Sequence, residues 1–268
     1  MAIDGDSLAH RAYHALPKSI QRAGGRPGNA IVGFGNVLLR LYEEEQPAAV
    51  VAGWDTLAVP NFRAELLPGY QAGREFDDAL VEQLELLPGL VASFGFANGK
   101  AAGYEADDFL AAAAAAWAGP VEVVSSDRDA FQLVSERVTV LQPVKGGGAP
   151  VRIGPEGVRE RYGVEPGQVA DFIALRGDAS DRIPGAPGVG PKTASSLLAR
   201  YGTLEAALAD GRFPGIADEL RLFRQIATMD ASAPLPPLVA QEPTWARASS
   251  HAAELGVAGL ARRIAERV

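Results

Sequence analysis

Val121-Glu122-Val123-Val124-Ser125-Ser126-Asp127-Arg128-Asp129 is the stretch on which the fold turns. Its apolar run, Val121 to Ser125, reads as a short buried strand, and acids stand just past its end. The same arrangement occurs twice more, with Ala2-Ile3 leading to Asp4 and Ala48 to Ala52 leading to Asp55. In an open parallel α/β sheet the C-terminal ends of the strands share one edge, and ligands bind there. Acids from distant parts of the chain would therefore meet in one crevice. Their mutual repulsion calls for cations, and oxygen-only donors favour Mg²⁺ or Mn²⁺.

Working outward, Glu105 to Trp117 precedes that strand and carries six consecutive alanines, a strong helix with acids in its first turn. Glu105, Asp107 and Asp108 exceed what complementing a helix dipole requires, which points to ligands. Further strands are expected at Ala48 to Gly53 and Val138 to Gln142, and a helix near Asn29 to Tyr42. The stretch Asn61 to Lys100 reads as irregular, with an amphipathic segment near Ala79 to Phe94 interrupted at Pro88-Gly89. From about Pro155 the pattern becomes helices alone, opened by Pro155, Pro166 and Pro191 and capped at Thr203. Ala233 to Leu238, with three prolines, is extended.

Composition narrows the chemistry. The 268 residues can bury a full core, and the absence of cysteine excludes disulfides, thiolate metal sites and a cysteine nucleophile. No apolar run approaches the roughly 20 residues of a membrane span, and Asp4 and Asp6 occupy a region where a signal peptide would be basic and then apolar. A cytoplasmic protein without a membrane or small-molecule cofactor is expected. The formal net charge is −8, yet nine of the 33 acids belong to the candidate cluster. The remaining 24 nearly balance 25 Lys and Arg, so the acidity belongs to a site more than to a surface.

Pro187-Gly188-Val189-Gly190-Pro191-Lys192-Thr193-Ala194 approaches a phosphate-binding loop, but Pro191 breaks that pattern and removes an N–H. The same residues suit a helix-hairpin-helix turn offering backbone N–H groups to a DNA phosphate.

With these motifs in order, the chain resembles the 5′-nuclease domain of bacterial DNA polymerase I and the wider flap endonuclease family. The resemblance rests on Asp4-Gly5, Arg11 to Leu16, Asp55, Phe62-Arg63, Tyr70 to Arg74, Gly103 to Asp108, Asp127 to Asp129 with Gln132-Leu133, and Gly177 to Ala194. It fades beyond about Leu208, and the chain looks like the free-standing bacterial form. The resemblance implies an α/β fold with a PIN-like, Rossmann-like central parallel sheet and an all-helical helix-hairpin-helix (H3TH) DNA-binding module. Residues 1–154 would form the nuclease core with an arch or clamp at about 61–100, residues 155–232 the helical module, and 233–268 an extended segment and helix packing back on the core.

The resemblance also implies two Mg²⁺ ions, replaceable by Mn²⁺ and about 3.5–4 Å apart in such sites. Asp4, Asp55, Glu105, Asp107 and Asp108 match positions around the first, and Asp127, Asp129, Asp178 and Asp181 those at the second. K⁺ would sit in the helical module. Arg63, Tyr70, Gly188, Gly190, Lys192 and Thr193 would contact DNA with a 5′ flap, a nick or a 5′ end, in bacterial replication or repair at the nucleoid. Gln71 stands where the family usually has lysine, and Arg74 is the candidate for stabilising transition-state charge, on the same helix face if that stretch is helical. Arg128 and Arg182 replace the usual lysine and asparagine. A catalytically weak DNA-junction binder is the rival reading, favoured by Gln71 and disfavoured by the full carboxylate set. A metal-dependent phosphatase or a PIN-like ribonuclease is a third, weakened by the hairpin.

Overall fold

A computed structural model describes residues 1–56, 59–73 and 75–268. Its strands are β1 (Ala2–Asp4), β2 (Val51–Gly53), β3 (Ala97–Gly99), β4 (Val121–Val124), β5 (Val138–Gln142) and β6 (Val151–Ile153). They form one sheet in the order β3-β2-β1-β4-β5-β6, parallel except for β6, which pairs antiparallel with β5. The chain builds from β1 toward β2 and β3 and then crosses to β4 and β5, so the strand order reverses between β1 and β4. That is the switch point where an open α/β sheet leaves a crevice.

The helices are α1 (Gly5–Ala15), α2 (Asn29–Glu45), α3 (Phe62–Leu66), α4 (Asp78–Ser93), α5 (Ala106–Ala116), α6 (Pro155–Tyr162), α7 (Val169–Arg176), α8 (Pro191–Tyr201), α9 (Leu204–Ala209), α10 (Ala217–Ala227), α11 (Trp245–Glu254) and α12 (Ala258–Ala265). Side-chain alternation along the strands sorts them into layers. Ile3, Ala52, Val124 and Leu141 share one core with Leu8, Phe34, Leu84, Phe94, Ala248 and Leu260, from α1, α2, α4, α11 and α12 and their flanks. Ala2, Val51, Val123 and Val140 share the other with Leu110, Phe172, Ile173, Leu198, Leu220 and Ile226. The helical stretch after Pro155 thus continues the core of the sheet, and its position relative to the strand ends is fixed by packing.

Two sequence expectations are corrected here. The amphipathic segment near 79–94 is not interrupted at Pro88-Gly89. α4 is one uninterrupted helix with Pro88 inside it, and it buries Leu80, Leu84, Leu87, Leu90 and Val91, while Ala97–Gly99 is a strand of the sheet. An interior proline costs about 3 kcal/mol; burying each of these side chains contributes roughly 1.5–3 kcal/mol, so packing wins. The second concerns residues 71–73, which form a turn with Gln71 at φ +49° and Gly73 at φ +79°. The condition for a shared helix face is not met at residues 71–73, and Arg74 itself lies outside the described residues. α1, β3 and β6 were not anticipated at all; each is short or hidden beside a stronger signal. The C-terminal part holds two helices, α11 and α12, packed against α4 and α2.

Candidate active site

β1 ends at Asp4, which is 5% exposed and caps α1 by accepting the Ser7 N–H at 2.9 Å. Its other oxygen accepts from Ser125 Oγ at 2.7 Å, and the same hydroxyl accepts the Asp127 N–H at 3.0 Å. One serine thereby locks the ends of β1 and β4 together at the switch point. Asp55, two residues past β2, accepts the Ala106 N–H at 2.7 Å and so lies against the start of α5. Glu105 caps that helix through a reciprocal capping box with Asp108. The loop after α7 brings Asp178 and Asp181, pinned where Gly177 and Gly185 cross with no room for a Cβ. Asp178 pairs with Arg176 at 2.9 Å, and Gln71 Nε2 donates to Asp181 Oδ1 at 3.1 Å.

Together these segments line a cleft of about 660 Å³. It holds Asp4, Asp55, Glu105, Asp107, Asp127, Asp129, Asp178 and Asp181, with Tyr70 and Gln71 on one wall. Asp6 also lines it, 8% exposed, accepting the Asp55 N–H at 2.8 Å. Asp6 was missed as a site residue because its position, two past a strand end, reads as an ordinary helix first turn. Arg176, stacked 5.3 Å from the Phe172 ring centroid, is a second omission; nothing in its local sequence marks it.

Burial pushes the Asp4 carboxyl up to about 7, reinforced by Asp55 and Asp127 against the pull of its Ser125 and Ser7 hydrogen bonds. Glu105 also rises to about 7 through burial and the charges of Asp55 and Asp181, although Arg63 opposes the change. Burial followed by neighbouring carboxylates lifts Asp6, Asp107 and Asp129 well above the usual range. Asp178 differs: burial opposes its ionisation, but Ser180 and Arg176 hold it below the ordinary value. Among the described residues Asp107 Oδ1 is buried with no hydrogen-bond partner. An orphaned carboxylate oxygen among repelling carboxylates fits a hard cation. Among the described residues no three of these side chains converge to hold an ion unaided; one bound here would complete its shell with water and phosphate oxygens, the usual habit of Mg²⁺.

Two of the sequence assignments part from the cleft. Asp108 is fully buried and does not line it: Arg63 Nη1 and Nη2 donate to its two oxygens at 2.9 and 2.6 Å. Arg63, only 3% exposed, has no surface to offer DNA. Both read as surface-facing groups in the sequence because a buried pair is invisible until its partner is known. Tyr70 is 7% exposed, and its hydroxyl donates to Glu105 Oε2 at 3.1 Å. Gly188, Gly190, Lys192 and Thr193 lie outside the cleft, in the turn between α7 and α8 and on the first turn of α8. Gly188 takes φ +75°, a conformation that favours glycine, and no atom lies within 4 Å of where a Cβ would stand on either glycine. Lys192 and Thr193 are exposed.

Fold and site together define a class: a PIN-like α/β core, acidic at its switch point, joined to a C-terminal helical domain. Residues 1–163 match the 5′-3′ exonuclease N-terminal resolvase-like domain, and residues 164–242 match the 5′-3′ exonuclease C-terminal SAM fold. The chain belongs to the 5′-3′ exonuclease family. It is 39% identical over 227 residues to a 5′-3′ exonuclease of Streptomyces coelicolor, covering 78% of this chain and 75% of that one. It is 42% identical over 211 residues to DNA polymerase I of Mycobacterium tuberculosis, where the match covers 77% of this chain but spans only 23% of the relative's length. Among solved structures, the bacteriophage T5 flap endonuclease in a complex with DNA and metal ions superposes with a TM-score of 0.69 at 20% identity, covering 99% of this chain and 97% of that one. At that identity the likeness concerns the fold. Among the described residues no helix is long and apolar enough to cross a membrane.

Proposed function

We propose that this chain is a Mg²⁺-dependent, structure-specific 5′-nuclease that hydrolyses DNA phosphodiester bonds at 5′ ends and 5′ flaps in bacterial replication or repair. The observation that carries the reading is the switch-point cleft, where acids from β1, β2, the start of α5, the end of β4 and the loop after α7 are held together around Asp107, whose Oδ1 is buried without a hydrogen-bond partner among the described residues. A protein that only bound DNA would gain nothing from concentrated negative charge facing phosphate. When bound, divalent ions would supply Lewis acidity to the scissile phosphate and acidify the attacking water.

The chain's own groups set the stage for that chemistry. Asp4, Asp55, Glu105 and Asp107 would face one ion, and Asp127, Asp129, Asp178 and Asp181 the other. Asp6 orients Asp55 through its backbone N–H. Gln71, a neutral amide on the cleft wall, would hydrogen-bond a phosphate oxygen but cannot offset its developing charge; Arg74 is the proposed source of that charge. Gly188, Gly190, Lys192 and Thr193 would grip a duplex phosphate outside the cleft.

Incubating the protein with a 5′-flap duplex, with and without Mg²⁺, tests the reading. Release of the flap only with Mg²⁺ is expected. Tight binding without cleavage under any divalent ion would replace it with the junction-binding reading that Gln71 favours.

A further inference from the structure

Arg63 sits outside the cleft, yet its guanidinium reaches three parts of the molecule. Nε donates to the Ile226 carbonyl at 2.8 Å and Nη2 to the Thr228 carbonyl at 3.1 Å, at the C-terminal end of α10. Both terminal nitrogens donate to Asp108 on α5, at 2.9 and 2.6 Å. Nη1 also forms an ion pair with Glu105 Oε2 at 2.9 Å. The Asp230 N–H, just past α10, meets Asp108 Oδ1 at 2.7 Å and closes the cluster. Only a rigid planar fork could serve these directions at once; a lysine could not.

Of the groups Arg63 holds, Glu105 alone reaches the cleft. Its Oε2 sits between Arg63 Nη1 and the Tyr70 hydroxyl. Gln71 Nε2 donates to that same hydroxyl at 2.9 Å and to Asp181 at 3.1 Å. A continuous polar chain therefore runs from the end of α10, through Arg63, Glu105, Tyr70 and Gln71, to Asp181 in the loop after α7.

We propose that Arg63 is a positioning residue: anchored on the end of α10 and on Asp108, it grips Glu105 from behind and holds that carboxylate, with the chain through Tyr70 and Gln71, in the arrangement that receives a divalent ion. This rests on the proposed function. If Arg63 served only to neutralise buried Asp108, its loss would cost stability and leave the cleft's ion affinity unchanged. If it positions Glu105, its loss weakens ion binding even in protein that remains folded.

The test compares wild type with Arg63→Lys, which keeps the charge without the fork, and with the double variant Arg63→Met, Asp108→Leu, which removes the buried pair as a pair. Leu220→Ala, a core change in α10, serves as a control for lost stability. Mn²⁺ affinity is measured by calorimetry on DNA-free protein, at a temperature where each variant is folded, together with flap-duplex affinity in EDTA and single-turnover cleavage. Both Arg63 variants should bind Mn²⁺ about 10-fold more weakly or worse and cleave about 10- to 100-fold more slowly, the usual effect of losing a group that orients a ligand. Duplex affinity should stay within about twofold, raised Mn²⁺ should recover part of the rate, and Leu220→Ala should bind Mn²⁺ like wild type. Arg63 variants with lowered melting temperature but wild-type Mn²⁺ affinity would overturn the proposal. If neither folds, Tyr70→Phe removes the other grip on Oε2 without touching the buried pair: weakened Mn²⁺ binding supports the proposal and unchanged binding overturns it. A wild type that binds no Mn²⁺ and cuts nothing overturns the proposed function itself, a result distinct from any difference between variants.

Discussion

Asp107 and Asp108 are neighbours in the first turn of α5, and their surroundings are opposite. Asp108 is enclosed by the Arg63 fork and by the backbone N–H groups of Glu105 and Asp230. Asp107 turns to the cleft, where one oxygen has no partner and burial with the charges of Asp4 and Asp127 pushes its carboxyl far up. The inner carboxylate is neutralised by the fold; the outer one is left to be neutralised from outside. Burial and acidity alone do not mark a ligand. The missing counter-charge does.

The largest expected effect lies on the inner side. Asp108→Ala should cost roughly 3–5 kcal/mol in denaturant unfolding, because it removes the fully buried, two-point partner of the Arg63 guanidinium; a loss under about 1 kcal/mol would erase the contrast. On the outer side, Asp107→Asn should lower single-turnover flap cleavage by about 10²–10³-fold, equivalent to about 2.7–4 kcal/mol, with ion-free stability equal to or above wild type because a repelling charge is gone. Near-normal Mg²⁺-dependent cleavage by this variant would take Asp107 out of the site.

A pH series sharpens the same contrast. Folding raises Asp4 and Glu105 to about 7 and also lifts Asp6, Asp107 and Asp129, so the folded protein binds more protons than the unfolded chain above about pH 4. The stability tied to these protons is present at low pH and lost as pH climbs through 7 and beyond. The ion-free melting temperature should therefore fall from pH 5 to pH 8, and Mg²⁺ should restore more of it at pH 8. An ion-free melting curve independent of pH would mean these acids are already compensated within the fold. The smallest effect is remote from the cleft: Lys192→Ala should reduce the slope of log K against log salt for duplex binding by about 0.9, one phosphate contact. An unchanged slope would separate the hairpin from DNA.

Much of the cleft was legible because strand ends announce themselves: a buried apolar run followed by an acid fixes both the sheet edge and the group standing on it, as at Asp4, Asp55 and Asp127. Side-chain direction was harder to read. Adjacent helical residues differ by about 100°, so three acids in four positions imply a ligand without saying that Asp107 faces the cleft and Asp108 turns inward. Arg63 looked exposed because its partners lie on α5 and at the end of α10, 45 and more residues away. α4 was divided at Pro88 since local propensity was weighed without the buried leucines that override it. The turn at Gln71 was not legible because its positive φ falls on a residue other than glycine.

Calorimetric titration of the DNA-free protein with Mn²⁺ at pH 8, for wild type and Asp107→Asn in parallel, tests the uncompensated cleft most directly. Saturable binding is expected in wild type, with a higher melting temperature in the bound state, and markedly weaker binding in Asp107→Asn. A wild type that takes up no ion and melts identically with and without Mn²⁺ would contradict the account.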